Sequence, residues 1–306
     1  MKKSTAVMFC IGSMVCWSIG PILIRYVKDY FSVSFQNFFR FAVSIVILWL
    51  FSLITAGKGE IRKTVSSTDR ILPKLLLIAV CNFSHQFFLI KGVYLILPGL
   101  VTIIEESTIL FAAALSFVFI PDERQLVRQP VFITGLVLAF FGVVMTSCPE
   151  VNSFLSMGVR TSVHGIWYIL ISSFSWALFS LLIRLWLPSL PAAVTSSLVF
   201  SLVIPFFILS MFLEGGATAV AAGTPAFAWG ILAVSGIIGI GLGYSFYYQA
   251  LRVLGVTLTS SLGLLIPLAT MLLSFLVFGE RLAPVQIIGA AALLCGCFLI
   301  VRKSVT

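Results

Sequence analysis

The chain has 306 residues, of which 60% are hydrophobic and only 9% are charged. Soluble globular domains carry roughly 25% charged residues, so this chain cannot cover a water-facing surface and is predicted to lie in a membrane. Its net charge of +9 would suggest nucleic acid for a soluble protein. Here it is better explained by membrane orientation, and we expect no nucleic-acid partner.

Apolar runs recur along the whole chain, each long enough to cross a hydrocarbon core of roughly 30 Å. The alternation of a β-barrel is absent, so the spans are expected to be helices. The predicted fold class is an all-α membrane protein with ten transmembrane helices. Their predicted positions are 6–27, 35–56, 72–96, 99–120, 131–148, 164–187, 192–213, 227–250, 257–278 and 284–302.

The first span has the basic start of a signal peptide, but its apolar run is too long and no small-x-small cleavage site follows, so we expect a retained helix. It carries Trp17 and Pro21. Tryptophan is usual at headgroup level, and Trp17 lies too deep for that. It either fills the core or offers a stacking wall to a ligand. Pro21 removes a backbone hydrogen bond, which makes it a candidate hinge.

The loop after the second span, residues 57–74, holds the densest cluster of basic residues. With ten spans, the side of the membrane that holds this loop and both termini has 13 Lys and Arg residues, against 6 on the other side. The positive-inside rule then predicts cytoplasmic termini, in a multi-pass protein of the inner (cytoplasmic) membrane. The loop itself is expected to touch anionic lipid headgroups.

The third span places His85 near its middle, with Asn82 one turn earlier and Gln86 beside it. Polar side chains at this depth are costly unless they hydrogen-bond within the bundle. Because histidine titrates near neutral pH, His85 suits proton-linked gating or substrate contact. Interhelical hydrogen bonding without a ligand is the alternative.

Glu105 and Glu106 lie about seven residues into the fourth span, roughly 10 Å below its outer end. Carboxylates at such depth face a cavity or a partner. Successive helix residues are about 100° apart, so we expect one glutamate to line a cavity and the other to pack elsewhere. The pair is a candidate for proton coupling. The alternative is a structural ion pair of one glutamate with Arg40 or Lys91.

In the second half, Trp176 lies in the middle of the sixth span, as Trp17 does in the first, and Pro267 in the ninth span is a second candidate hinge. The eighth span carries a stripe of small residues and then an aromatic cluster: Gly236, Gly239, Gly243, Tyr244, Tyr247 and Tyr248. The glycines predict close helix packing. The tyrosines are candidates for closing one end of a cavity.

The two halves repeat each other. Trp17 and Arg25 recur about 159 residues later as Trp176 and Arg184. Each half has about five spans, and this odd number means that the second half enters the membrane from the opposite side. The predicted units, 1–150 and 151–306, are therefore inverted repeats around a central cavity, within one integral membrane unit. That architecture is typical of secondary transporters.

Several local patterns carry a resemblance to a known group. They are WSIGP near the start, Arg40-Phe41, the short turn between spans three and four, Pro267 with Glu280-Arg281, and the Gly-x6-Gly last span of each half. In these the chain resembles the drug/metabolite transporter superfamily, and in particular its EamA-type ten-helix permeases. The chain departs from the pattern at Ile109, which stands where the repeat would place a proline, and at the Glu105-Glu106 pair.

The resemblance implies a basket of helices around a cavity lined mostly by spans 1, 3, 4, 6, 8 and 9. It also implies transport, often export, of amino acids, related metabolites or drugs. We therefore expect a secondary transporter that works by alternating access in the export direction, and not an enzyme. The alternatives are a membrane-embedded enzyme acting on lipid-linked substrates and a non-transporting membrane sensor.

The expected substrate-binding residues are Trp17, His85, Trp176, Tyr244 and Tyr247. Glu105 and Glu106 are expected to couple transport, and Pro21 and Pro267 to act as hinges. No cysteine or histidine spacing typical of a metal site and no nucleotide-binding motif is present, so no metal or cofactor is expected. The partners expected are a small-molecule substrate, membrane lipids and protons. Substrate identity and coupling ion stay open, as does the oligomeric state, for which a homodimer is one option.

Overall fold

The computed structural model describes residues 3–66, 68–120, 128–157, 161–187, 192–214, 220–247, 249–250, 253, 263, 265–279 and 283–305. Apart from an isolated bridge between Phe31 and Val220, the regular structure of these residues is helical. Tyr248 and Glu280-Arg281 lie outside the described residues, as does the side chain of Arg184. Most of the predicted ninth span before Leu265 lies outside them as well.

The first half contains α1 (Lys3–Tyr26), α2 (Val33–Thr55), α3 (Gly57–Ser66), α4 (Thr68–Leu95), α5 (Pro98–Glu105), α6 (Thr108–Phe119) and α7 (Pro130–Met157). The second half contains α8 (Thr161–Trp186), α9 (Ala192–Leu213), α10 (Ala226–Ser235), a π-helical segment (Gly236–Leu242), α11 (Leu265–Phe278) and α12 (Pro284–Val305). α7 continues past the predicted unit boundary after residue 150, to Met157.

Seven helical stretches of the described residues are long and apolar enough to cross a membrane: Ser4–Tyr26, Val33–Thr55, Ile71–Leu95, Pro98–Phe119, Val163–Ile183, Ala193–Leu213 and Ala226–Tyr247. Three shorter apolar helices cover Pro130–Met145, Leu265–Phe278 and Pro284–Leu299. Each of the ten overlaps a predicted span. The all-helical membrane fold is thus confirmed, while the number of ten crossings stays a prediction, because a helix needs about 20 residues to span a bilayer.

Polar contacts cap the start of α2 and join the end of α1 to the end of α4. The Ser32 side chain caps α2 by accepting a hydrogen bond from Phe35 N, which satisfies one of the free N–H groups of the first turn. Arg25, in the last turn of α1, donates from Nη1 to the carbonyl oxygens of Val93 (3.1 Å) and Ile96 (2.6 Å). The second bond reaches just beyond the last residue of α4, where carbonyls lack helical partners.

The basic segment after α2, which the sequence indicated as a loop, begins with a helix. Gly57 adopts a positive φ of 77°, which glycine tolerates without steric cost, and α3 then runs to Ser66. Lys58, Arg62 and Lys63 are exposed and Thr64 is buried. One face of a short helix therefore carries the positive charge, and its contact with anionic headgroups stays a prediction.

The fourth predicted span is not one continuous helix. α5 ends at Glu105, Glu106 forms its C-cap, and α6 begins at Thr108. At the break the hydrogen bonds tighten to i→i−3, from Glu106 N to Ile103 O (3.1 Å) and from Ile109 N to Glu106 O (3.0 Å). The expected regular helix over 99–120 is therefore wrong at the glutamate pair, and the break occurs without a proline.

The last helices of the two halves, α7 and α12, pack backbone to backbone. A Cβ atom added to Gly142 would overlap the backbone of Leu293, and one added to Gly296 would overlap that of Ala139. Gly142 and Gly296 are 154 residues apart, as are Ala139 and Leu293. The two contacts are thus equivalent under the repeat, because in each of them a glycine of one half packs against the backbone of the other half.

Candidate functional site

A cavity of about 270 Å³ lies between the helices of the two halves. Its lining residues come from the first, third, fourth, sixth, eighth and ninth predicted spans, the set that the family resemblance implied, and Arg40 of α2 joins them. Such a cavity, enclosed by apolar and aromatic side chains with a few polar groups, is typical of a small-molecule site.

The structure brings the predicted site residues together around this cavity. The lining includes Trp17, His85, Trp176, Tyr244, Tyr247, Glu105, Glu106 and Pro21. Pro267 is buried inside α11 and is not among the lining residues, although its neighbour Ile266 is. Substrate contact by these residues stays a prediction.

Tyr244 connects the two tryptophans. Its ring centroid lies 5.2 Å from that of Trp17 and 5.9 Å from that of Trp176, both in edge-on arrangements. Tyr247 packs on Trp17 at 5.0 Å, and His85 packs on Trp176 at 4.9 Å. Edge-on and tilted ring pairs of this kind are favourable beyond the area they bury, so the rings form one continuous aromatic wall.

The wall follows the internal repeat. Trp17 and Trp176 are 159 residues apart, and so are His85 and Tyr244. The Trp17–Tyr244 contact in one half of the cavity therefore corresponds to the Trp176–His85 contact in the other. The repeat thus places an imidazole in one half where the other half has a phenol.

The π-helical segment holds Trp17 in place. A π-helix shifts the backbone hydrogen bonds by one residue and is frequent at functional sites. The Gly243 N–H donates to Ile238 O and Ile240 O, and Gly239 O accepts a hydrogen bond from Trp17 Nε1 at 3.0 Å. A Cβ at Gly243 would lie 2.7 Å from Trp17 Nε1. The predicted close packing is confirmed at Gly236 and Gly243, whereas a Cβ at Gly239 would make only an ordinary contact. The segment from Gly236 to Leu242 is π-helical rather than α-helical.

Both glutamates line the cavity, so the expectation that only one would do so is wrong. α8 supports the break after Glu105 through Ser173: its Oγ lies 3.3 Å from Glu105 O, and its carbonyl oxygen lies 3.4 Å from Thr108 Oγ1.

His85 links the carboxylates to the aromatic wall. It is 5% exposed, and its Nδ1 lies 3.8 Å from Glu105 Oε1 and 2.9 Å from Ser172 Oγ. The structure thus contains the interhelical hydrogen bond of the alternative interpretation at a residue that also lines the cavity. An imidazole and a carboxyl group, two groups that can bind a proton, thus lie side by side in the lining of the cavity.

The structural ion pair considered for the glutamates is not formed. Among the described residues, no nitrogen of Arg40 or Lys91 lies within 4.0 Å of a carboxylate oxygen of Glu105 or Glu106. Lys91 Nζ instead lies 4.4 Å from the ring centroid of Phe87, a cation–π distance. The glutamates are therefore not neutralised by these two cations.

Arg40 is a charged residue of the cavity lining that the sequence interpretation left out of the site. Its signal was a guanidinium inside an apolar span, which usually marks function. The side chain is 4% exposed, and Nε and Nη1 have no hydrogen-bond partner among the described residues. Gly236 lies against the Arg40 backbone, where a Cβ would come within 2.7 Å of Arg40 O.

The described residues contain no group of three or more His, Cys, Asp or Glu that could hold a metal ion. The cavity lining combines the aromatic wall with the carboxyl groups of Glu105 and Glu106, the imidazole of His85 and the guanidinium of Arg40.

Comparison with known families assigns the chain. The model of the EamA-like transporter family matches residues 4–148 and again residues 163–302. The chain belongs to the EamA-like transporter family. The predicted resemblance to the drug/metabolite transporter superfamily is thereby confirmed. This EamA-family protein is a multi-pass membrane protein of a transporter family rather than of an enzyme family.

Two relatives illustrate the family. The chain is 24% identical over 299 residues to the "Uncharacterized transporter YyaM" of Bacillus subtilis (strain 168), which covers 97% of this chain and 93% of the relative. It is 27% identical over 232 residues to the "Probable amino-acid metabolite efflux pump" of Escherichia coli (strain K12), covering 71% and 72% of the two chains.

A solved crystal structure supports the fold. It aligns with a TM-score of 0.65 over 98% of this chain and 98% of its own, at 18% sequence identity. At that identity the likeness concerns the fold alone.

Proposed function

We propose that this EamA-family protein is a secondary transporter that exports small metabolites of the amino-acid type across the cytoplasmic membrane by alternating access. The observation that carries the proposal is the cavity between the halves, walled by the equivalent pairs Trp17–Tyr244 and Trp176–His85. The name of the Escherichia coli relative describes an efflux pump for amino-acid metabolites, which supports the substrate class and the direction.

Inverted repeats of five helices each would supply the two access states. The reciprocal contacts Gly142–Leu293 and Gly296–Ala139 support this arrangement, because two-fold-related units exchange identical contacts. The double match of the family model supports it as well. In such transporters one half opens while the other closes around a site near the midplane. Pro21 and Pro267 are the proposed hinges.

The substrate is held against Trp17, His85, Trp176, Tyr244 and Tyr247. Aromatic rings cover the apolar part of a solute, and a few polar groups orient it. Glu105 and Glu106 couple transport to protons, since they lie side by side at a helix break, and Glu105 is 3.8 Å from His85. Repulsion between adjacent carboxylates favours binding of one proton to the pair.

The purified protein in proteoliposomes tests the coupling. Exchange of labelled amino acids, nucleosides, polyamines and cationic drugs is measured first, and accumulation under an imposed pH gradient second. We expect Glu105→Gln or Glu106→Gln to abolish gradient-driven accumulation while exchange continues at a reduced rate, because one carboxylate remains. Glu60→Gln is the matched control, because Glu60 is exposed on α3 away from the cavity.

Two results would contradict the proposal at different levels. Full gradient-driven accumulation in both single variants and in the double variant would remove the glutamates from coupling. Exchange of every tested solute no faster than in protein-free liposomes would refute transport of these classes of solute.

A further inference from the structure

Arg40 is buried like a core residue, but two of its side-chain nitrogens are left without hydrogen-bond partners, as in a residue that binds a ligand. It lines the cavity and is 4% exposed, yet Nε and Nη1 have no hydrogen-bond partner among the described residues. A Cβ at Gly239 would lie 3.5 Å from Nη2, so the guanidinium reaches the π-helical wall of the cavity. Buried N–H groups of a cation that stay unpaired are destabilising, so a ligand that accepts hydrogen bonds from Nε and Nη1 would remove this penalty.

Arg25 shows how the same fold satisfies an arginine that has a structural role. Its Nη1 lies 3.1 Å from Val93 O and 2.6 Å from Ile96 O, and it joins α1 to the end of α4. Arg25 is not among the residues that line the cavity. The two arginines can therefore be compared directly. Arg25 is hydrogen-bonded to the backbone, whereas Arg40 has N–H groups without a partner beside the cavity.

The repeat shows that packing does not require a charge at this position. A shift of 159 residues places Val199 opposite Arg40 and Phe200 opposite Phe41. Phe41 and Phe200 contact each other at 5.3 Å, and both are fully buried. Val199 is also fully buried. The second half thus builds the same region of the helix with an apolar residue.

The cavity also holds acidic and basic groups that do not form an ion pair with each other. Glu105 and Glu106 line it together with Arg40, and no nitrogen of Arg40 lies within 4.0 Å of either carboxylate among the described residues. A solute with a carboxylate and an ammonium group would complement both charges. A guanidinium matches a carboxylate in particular, because it donates two parallel hydrogen bonds.

We propose that Arg40 binds the carboxylate of the transported solute, and that the site selects zwitterions of the amino-acid type with their ammonium group toward Glu105 and Glu106. This inference rests on the proposed function and names the group by which the substrate is recognised. It predicts that solutes lacking the carboxylate bind weakly even when they have the same apolar side chain.

The test uses the purified full-length protein and matched probes. Dissociation constants are measured for L-phenylalanine, L-leucine and L-methionine, and for the amide of each, which keeps the ammonium group and loses the carboxylate. The proteins are the wild type, Arg40→Gln, Arg40→Val and the control Arg25→Gln. Exchange of the same probes in proteoliposomes is measured in parallel.

We expect at least one acid to bind the wild type about 10- to 100-fold more tightly than its amide, the range for hydrogen bonds to charged groups. Arg40→Gln and Arg40→Val should lose this preference while binding the amide within about 3-fold of the wild type. Arg25→Gln should keep the preference. Without ligand, the melting temperature should fall in Arg25→Gln and not in the two Arg40 variants.

The outcomes separate this inference from the proposed function. Equal binding of acids and amides by the wild type, or a preference that survives in both Arg40 variants, would overturn the carboxylate site even if the solutes are exchanged. Failure of both Arg40 variants to fold would show a structural arginine and would also overturn it. Selective binding of an acid without exchange would uphold the site and contradict the transport function.

Discussion

The position of Trp17 depends on the absence of a side chain at Gly243, so Gly243→Ala should displace the indole. An alanine Cβ there would lie 2.7 Å from Trp17 Nε1 and 3.0 Å from Cδ1. These atoms cannot stay so close to a methyl carbon, and the backbone of α1 holds the other end of the side chain. The indole must move away from Gly239 O and from the two tyrosine rings.

The structure gives the magnitude of this loss. The hydrogen bond from Trp17 Nε1 to Gly239 O contributes about 1 kcal/mol. The two ring contacts, with Tyr244 and Tyr247, contribute about 0.5–1.5 kcal/mol each. Complete loss would cost about 2–4 kcal/mol, against a gain of up to about 1 kcal/mol from replacing a helical glycine by alanine.

Gly230→Ala removes that gain from the comparison. Gly230 lies in α10 of the same predicted span, and nothing lies within 4 Å of a Cβ added there. Both variants carry the same change in helix propensity, and only Gly243→Ala meets Trp17. The assay is the melting temperature in detergent, together with the affinity for a transported solute.

We expect Gly243→Ala to melt several degrees below Gly230→Ala, since 1 kcal/mol corresponds to about 2–4 °C for chains of 150–250 residues. Solute affinity should fall in Gly243→Ala and stay unchanged in Gly230→Ala. Equal melting temperatures in the two variants would refute the reasoning. They would mean that Trp17 adjusts to the new methyl group and keeps its contacts with Gly239 O and the two tyrosine rings.

Two further predictions concern orientation and the aromatic wall. In Lys63→Cys, on the exposed face of α3, the cysteine should react with a membrane-impermeant reagent only in inside-out vesicles. Labelling from outside intact cells would contradict the predicted cytoplasmic position of this segment. Trp17→Ala and Trp176→Ala should each weaken solute binding by about 1–3 kcal/mol, with folding affected less than binding. Unchanged affinity with a large loss of thermal stability would make both tryptophans core residues.

The sequence predicted the membrane fold and much of the cavity, because the depth of a residue in the membrane follows from its distance along the chain to the ends of its apolar span. Trp17, His85 and Trp176 lie too far from the span ends for headgroup contact, and all three line the cavity. Their grouping also followed from the repeat, which places Trp17 and Trp176 at equivalent positions.

The break at Glu105 could not be predicted, because its cause is tertiary. No proline or glycine lies between residues 103 and 109, so neither of the two strong helix breakers marks the position. Ser173 of α8 contacts the backbone at Glu105 and the side chain of Thr108, and these contacts are absent from the linear pattern. For the same reason the glycine spacing of the eighth span predicted packing but not the π-helical register.

Arg40 illustrates a further limit. An arginine in an apolar span is visible in the sequence, but whether it has a partner is a property of the folded chain. The sequence analysis considered an ion pair between Arg40 and one of the two glutamates. In the described residues, the structure places no glutamate oxygen within ion-pair distance of Arg40. Only the three-dimensional arrangement distinguishes Arg40 from Arg25.

The charges of the site lie on one half of a repeated scaffold. Shifting Arg40 by the repeat gives Val199, and shifting Glu105 by the 158 residues that separate Ile109 from Pro267 gives Gly263. Glycines and apolar contacts are shared between the halves, as in the Gly142–Leu293 and Gly296–Ala139 pair. In the proposed alternating-access cycle, two access states of similar energy would require the shared framework, whereas recognition of one end of a solute would require a difference between the halves. Under this proposal the framework would stay symmetric for motion, while the first half would supply the charged groups that recognise the solute and both halves would supply the aromatic rings.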